Sequence, residues 1–199
     1  MTLPLAGVVL AGGKSRRLGT DKALLRLNGR TLLAATVETL LPVCQEVIIV
    51  TNTPEAHAHP AARQVGDAFP GKGSLGGVYS GLSAAVAPRC LAVACDMPFL
   101  NPAVISYMAA LDGDHDVIIP RLHSHVEPLH AIYSCTCLPY MRDLLDRGNL
   151  KIIDFFPRVR VRYVEGAELA PLDPEHRSFL NINTPQDLAA ARSLLAGAA

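Results

Sequence analysis

The chain has 199 residues, half of them hydrophobic, and 18 Lys and Arg residues balance 18 Asp and Glu residues. This length can bury one sizeable core, so we expect a single domain over residues 1–199. The zero net charge argues against bulk electrostatic binding to nucleic acid or to an anionic membrane surface. Any phosphate that the protein binds must therefore be held by a local site.

The apolar runs and the cysteines indicate a cytoplasmic protein. No run approaches the length of a membrane span, and no basic residue precedes the apolar part of "MTLPLAGVVLAGG", which argues against a signal peptide. Five cysteines are an odd number and do not suggest a disulfide framework. Cys135 and Cys137 have one residue between them, not the two of a zinc knuckle. We expect buried, reduced thiols.

Short apolar runs alternate with helical patterns along the first half of the chain. Strands are predicted at 5–11, 46–52, 89–96 and 115–122, and helices at 31–44, 74–87 and 101–113. Thr31, Ser74 and Asn101 are predicted to open these helices. Because the strands are nearly continuous in apolar residues, the pattern predicts a mostly parallel central sheet with helices on both faces, a three-layer α/β fold.

The second half of the chain is less regular. A helix is predicted at about 135–147 and a last one from Thr184. The segment "RVRVRYVE" at 158–165 alternates polar and apolar residues. Alternation indicates a strand with one solvent-facing side, either at a sheet edge or antiparallel to its neighbour.

A basic, glycine-rich stretch, "LAGGKSRRLGTDK" at residues 10–22, follows the first predicted strand. Ligands of doubly wound sheets bind beyond the carboxyl ends of strands, and glycine lets backbone N–H groups approach a phosphate. A P-loop would need glycine where the chain has Val8, and a dinucleotide fingerprint would need glycines where it has Lys14 and Arg17. The stretch is therefore either a solvated turn or a phosphate site of another type.

A second signal lies in "VACDMPFLNP" at residues 93–102, where Asp96 ends the third predicted strand. A carboxylate there suits a Mg²⁺ held by one protein ligand plus substrate phosphates, although Asp96 could instead cap a turn. The first stretch supplies complementary positive charge at the same sheet edge. Its basic residues are Lys14, Arg16, Arg17 and Lys22.

Three motifs, "LAGGKSRRLGTDK", "CDMPFL" at 95–100 and "FLNINTPQDL" at 179–188, together resemble the molybdenum cofactor guanylyltransferases. The resemblance runs from Leu10 to Leu188 and implies a Rossmann-like nucleotidyltransferase fold. The first motif alone is shared with sugar-nucleotide pyrophosphorylases and cytidylyltransferases. Related cytidylyltransferases have Leu-Ala-Ala-Gly where this chain has Leu-Ala-Gly-Gly, so the resemblance implies guanine as the base.

The resemblance also implies roles for individual residues. The implied nucleotide-binding residues are Leu10, Ala11, Gly12, Gly13, Lys22, Asn52, Asp67 and Asp96. The implied catalytic residues are Lys22, Asp96, Arg16 and Arg17, and Asp96 is also the implied Mg²⁺ ligand. Asn181 and Asn183 are implied on the side of the pterin substrate.

Some of these residues have plainer interpretations. Asp67 could be a turn residue beside Phe69, and Asn183 could cap the helix that Thr184 opens. Ser74 stands where the family usually has proline, in "GSLGG".

The histidines of "RLHSHVEPLH" at 121–130 admit two interpretations. His123, His125 and His130 could bind a metal, with a weak ligand spacing between His123 and His125, or could lie in a solvated loop. Glu127 belongs to a motif that the family has near the pterin side, so the loop could face the substrate without a metal.

The implied reaction transfers GMP from GTP to the terminal phosphate of molybdopterin or the molybdenum cofactor, with Mg²⁺ as cofactor. Pyrophosphate leaves, and molybdoenzymes or cofactor-carrier proteins are further expected partners. The alternatives are a cytidylyltransferase or sugar-1-phosphate nucleotidyltransferase of the same fold, and a non-catalytic carrier of nucleotide and cofactor. The presence of both Lys22 and Asp96 favours catalysis, since a carrier needs no metal carboxylate.

Overall fold

The computed structural model of the protein describes residues 3–12, 21–111 and 113–197. The strands are β1 (Leu3–Leu10), β2 (Arg26–Leu27), β3 (Arg30–Thr31), β4 (Cys44–Val50), β5 (Arg63–Val65), β6 (Arg89–Ala94), β7 (Val117–Leu122), β8 (His125–Val126), β9 (His130–Ser134) and β10 (Val161–Glu165). The α-helices are α1 (Leu32–Leu40), α2 (Gly73–Ala84), α3 (Pro102–Ala109), α4 (Leu138–Asp146), α5 (Gly166–Leu169) and α6 (Pro185–Ala196). Across these ranges, every helix is too short or too polar to cross a membrane.

Eight strands form one sheet in the order β10-β7-β9-β6-β1-β4-β5, with β8 paired to β7 outside that path. The strands β5, β4, β1 and β6 run parallel to one another, and β9 runs antiparallel to both of its neighbours. The predicted mostly parallel sheet is confirmed. The β10 strand lies at the sheet edge, as its alternation indicated, but it runs parallel to β7, so the antiparallel alternative was wrong.

Helices cover both faces of the sheet. Successive residues of a strand point to opposite faces, and Val9 and Val93 pack in one core cluster with residues of α1 and α3. Val8 and Ala92 pack on the other face with residues of α2 and α4. The two separate apolar clusters confirm the predicted three-layer α/β architecture.

Two of the three predicted helix-opening residues are confirmed as N-caps. Thr31 and Asn101 accept hydrogen bonds from backbone N–H groups in the first turns of α1 and α3. The prediction for Ser74 was wrong, because α2 begins one residue earlier and Lys72 precedes it without a side-chain cap. Gly73 has a φ of +64°, a conformation open to glycine, and it lets the chain turn into the helix before the serine.

The glycines of α2 let this helix lie directly against the sheet. A Cβ added at Gly81 would overlap the side chain of Val8, and one at Gly77 would lie 2.9 Å from Leu10 Cδ2. Both contacts are to β1, whose carboxyl end leads into the basic, glycine-rich stretch. Glycine is a poor helix former, but Gly77 and Gly81 allow the close approach of α2 to β1.

Gly81→Ala is expected to lower the free energy of unfolding by about 1–3 kcal/mol, the usual cost of overpacking a core. At an unhindered helix position the same change would stabilise the protein by up to about 1 kcal/mol, so the sign of the effect is diagnostic. Urea unfolding of the variant and of Ser83→Ala, an exposed control in the same helix, measures it. A stabilised Gly81→Ala variant would disprove the close approach.

Candidate active site

The four parallel strands β5, β4, β1 and β6 end at the same level, with their carboxyl ends at one edge of the sheet. Leu10, the last residue of β1, is in register with Val50 of β4 and Ala94 of β6, and Val50 is in register with Val65 of β5. The strand order reverses at β1, because β4 and β5 lie on one side of it and β6 lies on the other. Ligands of such sheets bind in the crevice at this reversal. The residues that follow these strands are therefore placed around one candidate site.

Lys22 joins two other segments at this edge. Its ammonium donates hydrogen bonds to Asp96 Oδ2 at 2.7 Å and to Asn183 Oδ1 at 2.6 Å. Asp96 follows β6, and Asn183 precedes α6, so the three residues come from distant parts of the chain. An ammonium has three N–H donors, so one donor of Lys22 has no acceptor among the described residues. The side chains of Lys22 and Asp96 are 21% and 13% exposed, which leaves the pair in reach of a ligand.

The second carboxylate oxygen of Asp96, Oδ1, is buried and receives no hydrogen bond from the described residues. A buried acceptor without a partner is costly and calls for an explanation such as an ion. Mg²⁺ is commonly held by one or two carboxylates together with substrate phosphates. Asp96 could therefore hold a Mg²⁺ only as a single protein ligand, since the described residues contain no cluster of three or more potential metal-binding side chains.

The segment before α6 is fixed against Asp96 by its backbone. Ile182 is buried, and its N–H donates to the backbone oxygen of Asp96 at 2.9 Å. Thr184 is the N-cap of α6, and it forms a capping box with Asp187. The alternative that Asn183 caps this helix was wrong, since its side chain accepts the Lys22 hydrogen bond instead. Asn181 lies on the same segment and donates to the Phe179 carbonyl at 3.2 Å.

Asp67 follows β5 and is held in a compact turn. Its Oδ1 accepts hydrogen bonds from Phe69 N at 2.9 Å and from Ser80 Oγ at 3.2 Å. Asn52, which follows β4, accepts from the Asp67 N–H at 3.0 Å. The turn interpretation of Asp67 is thus confirmed, and the same contacts orient its carboxylate at the edge of the sheet.

The residues at the end of β1 differ in how much of each can reach a ligand. The side chains of Leu10 and Ala11 are buried in the two core clusters, so only their backbone can meet a ligand. Gly12 is exposed, and no described atom lies within 4 Å of a Cβ added there. Three further predicted site residues lie outside the described residues: Gly13, Arg16 and Arg17.

The histidines of the 121–130 segment differ in environment. His123 and His125 are exposed at the β7–β8 hairpin. His130 is fully buried at the start of β9, with its ring centroid 4.7 Å from that of Phe179. Burial lowers the pKa of His130 to about 4, so the imidazole is neutral at pH 7. The solvated-loop interpretation was therefore wrong for His130.

Lowering the pH is expected to destabilise the protein through His130. An unfolded histidine has a pKa of about 6.5, so between that value and about 4 the unfolded state binds the additional proton. The free energy of unfolding should fall by about 2 kcal/mol between pH 7.5 and pH 5 through this group. Urea unfolding at both pH values tests this, with His130→Phe losing that part of the dependence and His125→Phe keeping it. Equal pH dependence in wild type and His130→Phe would contradict the assignment.

The cysteine next to Asp96 is not a candidate nucleophile. Burial raises the pKa of Cys95, which directly precedes Asp96, to about 12, so its thiol stays protonated. All five cysteines are free thiols, and four are buried. The expectation of burial was wrong for Cys135, which is exposed.

The sequence interpretation missed a buried histidine beside the site. His57 lies in the loop after β4, and its Nε2 is 2.6 Å from Asp21 Oδ2. Its Nδ1 is 2.6 Å from Thr51 Oγ1. No motif marks His57, since the contact joins residues 36 positions apart in the chain. The adjacency of Asp21 to Lys22 was the one available signal.

Comparison with known proteins identifies the same family as the motifs. A family model described as a MobA-like NTP transferase domain matches residues 7–161. A relative from Pelotomaculum thermopropionicum, named a probable molybdenum cofactor guanylyltransferase, is 40% identical over 190 residues, which are 96% of this chain and 93% of the relative. A molybdenum cofactor guanylyltransferase from Desulfosudis oleivorans is 37% identical over 193 residues, 96% of each chain.

Solved structures have the same fold. The crystal structure of molybdopterin-guanine dinucleotide biosynthesis protein A from Archaeoglobus fulgidus superimposes with a TM-score of 0.84 at 28% sequence identity. The match covers 97% of this chain and 100% of that one. The likeness therefore extends over nearly the whole of this chain.

Proposed function

Because the chain belongs to the MobA-like NTP transferase family, we propose that it transfers GMP from GTP to the terminal phosphate of molybdopterin or the molybdenum cofactor. The observation that carries the proposal is the contact of Lys22 with Asp96 and Asn183 at the level strand ends. Within the described part of the chain, the cation has one donor and the carboxylate one oxygen without a partner, and such groups are complementary to a nucleoside triphosphate and its metal.

The reaction exchanges one bond to phosphorus for another. An oxygen of the acceptor's terminal phosphate forms a bond to the α-phosphorus of GTP. The bond from the α-phosphorus to the oxygen shared with the β-phosphate breaks, and pyrophosphate leaves with that electron pair. A phosphate nucleophile is already ionised at neutral pH, so the site needs positioning and charge neutralisation more than a general base.

Lys22 supplies the positive charge. Its third N–H can donate to a phosphate oxygen while Asp96 and Asn183 hold the other two. Such a donor is oriented before the reaction and stabilises the charge that builds on the leaving pyrophosphate. Arg16 and Arg17, outside the described residues, are proposed to act beside it.

Asp96 is the residue proposed to hold Mg²⁺, through the buried oxygen that has no hydrogen bond from the described residues. When bound, the ion neutralises charge on the phosphates and orients them for in-line displacement. The ammonium of Lys22 contacts the other carboxylate oxygen, with Nζ at 2.7 Å from Asp96 Oδ2. The two positive groups can therefore share one carboxylate without competing for the same atom.

The nucleotide is proposed to lie across the carboxyl ends of β1, β4 and β5. The described residues leave space for a ligand close to the backbone of Gly12, and Gly13 is proposed to extend this space toward guanine. The carboxylate of Asp67 is oriented at this edge by Ser80, and Asn52 holds its backbone. Asn181 is proposed to contact the pterin substrate, since it lies on the segment whose Asn183 contacts Lys22.

A pyrophosphate-release assay with each of the four nucleoside triphosphates, Mg²⁺ and molybdopterin tests the base preference. We expect GTP to give the highest kcat/KM. A preference for CTP would instead favour a cytidylyltransferase, and activity only with a sugar 1-phosphate acceptor would favour a sugar nucleotidyltransferase. A non-catalytic carrier would bind GTP without releasing pyrophosphate. A cytoplasmic location is part of the proposal and is supported by five free thiols.

A further inference from the structure

We propose that His57 is a positioning residue for Lys22 and that it acts through Asp21. His57 does not reach Lys22 directly. It contacts the carboxylate of the preceding residue in the chain, with Nε2 at 2.6 Å from Asp21 Oδ2. The inference rests on the proposed function, because it concerns the lysine that we expect to meet the triphosphate.

Asp21 uses both carboxylate oxygens to fix the turn that contains Lys22. Its Oδ1 accepts a hydrogen bond from Ala23 N at 3.0 Å and caps the short 3-10 turn Lys22–Leu24. Its Oδ2 is within hydrogen-bond distance of His57 Nε2. Ala23 is fully buried, so the turn is held from the core side by packing and from the loop side by His57. The backbone of Lys22 therefore has little freedom to shift.

His57 is itself held by the end of β4. Its side chain is 3% exposed, and Nδ1 lies 2.6 Å from Thr51 Oγ1 and 3.2 Å from Thr53 Oγ1. Thr51 donates its own N–H to the Val65 carbonyl of the neighbouring strand at 3.0 Å. A buried imidazole with both nitrogens occupied is a rigid connection. It joins the level strand ends to the turn that presents Lys22.

This connection explains how the flexible side chain of Lys22 can donate hydrogen bonds to Asp96 Oδ2 and Asn183 Oδ1 at the same time. Lysine has a long aliphatic stem, and fixing its ammonium costs conformational entropy. When the Cα of Lys22 is fixed through Asp21, the ammonium is already directed at Asp96 and Asn183. Loss of the His57 contact would let the turn move, and a displacement of about 1 Å can cost about 100-fold in rate.

The test is steady-state pyrophosphate release with GTP, Mg²⁺ and molybdopterin. His57→Phe fills the same space without ring nitrogens, and we expect kcat to fall by about 10- to 100-fold with a much smaller change in KM for GTP. His57→Gln keeps a donor toward Asp21 and should recover most of the lost turnover. His59→Phe, in the same loop, is the matched control and should behave as wild type.

A double-mutant cycle separates positioning from general destabilisation. If His57 acts through Lys22, then His57→Phe should change the residual activity of a Lys22→Ala enzyme by less than about twofold. Full additivity of the two losses would overturn the proposal, because the effect would then not pass through the lysine. If His57→Phe does not fold, Asp21→Ser takes its place, since serine keeps the N-cap but is too short to reach His57.

The outcomes are distinguishable from failure of the proposed function. An active wild type whose His57→Phe and Asp21→Ser variants keep wild-type kcat overturns the role of His57 alone. A wild type that releases no pyrophosphate with any triphosphate overturns the proposed function and the inference with it. Lower kcat in His57→Phe, recovery in His57→Gln and no further loss in the Lys22→Ala background support the proposal.

Discussion

Asp96→Asn is expected to reduce turnover with GTP and Mg²⁺ by about 1000-fold or more, because a metal site in phosphoryl chemistry contributes several kcal/mol of transition-state stabilisation. The substitution keeps the shape of the side chain and removes its charge. Two functions are lost together, the proposed Mg²⁺ ligand and the partner of the Lys22 ammonium. Steady-state kinetics over a range of Mg²⁺ concentrations measures the effect.

The fold of the Asp96→Asn protein should survive, because one carboxylate oxygen already lacks a hydrogen-bond partner among the described residues. Urea unfolding of the variant should therefore remain close to wild type. Asp146→Asn is the control, since that carboxylate pairs with Arg142 on the exposed face of α4. Activity of Asp96→Asn within tenfold of wild type would remove Asp96 from the reaction.

Lys22→Met is expected to lower kcat by about 100- to 1000-fold, the usual cost of removing one oriented donor from developing negative charge. Methionine keeps the apolar stem and packing of lysine but has no ammonium. The variant also leaves Asp96 and Asn183 without their shared donor. Rapid-quench measurement of a single turnover with GTP distinguishes slower chemistry from slower product release.

The control for Lys22→Met is Lys151→Met, which removes an exposed lysine that pairs with Asp154. That variant should keep wild-type kinetics, since exposed ion pairs contribute little. Unchanged single-turnover rates in Lys22→Met would exclude this lysine from the reacting site. A large rise in KM with unchanged kcat would limit its role to binding the ground state.

The layered fold was predictable because burial leaves its pattern in long elements. The strands β1, β4, β6 and β7 each have six or more residues and contain a run of apolar residues, enough for a readable pattern. The strands β2, β3, β5 and β8 have two or three residues each, so they leave no readable period. The start of α2 was missed because it depends on the positive φ of Gly73 and not on a capping side chain.

The site was predictable where a residue belongs to a local motif. Asp96 was identified because it ends a predicted strand with a charge that suits a metal, and Lys22 was singled out because its motif resembles that of the family. Their contact with Asn183 was not predicted, since that residue is 161 positions from Lys22 and was expected near the pterin. His57 was missed because its importance lies in a tertiary contact with Asp21. Sequence patterns identify the residue types and their spacing, but the roles of Asn183 and His57 depend on tertiary contacts that the patterns do not contain.

Transfer of label from GTP to molybdopterin tests the central claim most directly. GTP labelled at the α-phosphate and GTP labelled at the γ-phosphate are each incubated with the protein, Mg²⁺ and molybdopterin, and the products are separated. Guanylyl transfer predicts that the α-label appears in a guanine dinucleotide product and that the γ-label appears only in pyrophosphate. Label from the γ-phosphate in the pterin product, or no transfer of the α-label while GTP is consumed, would contradict it.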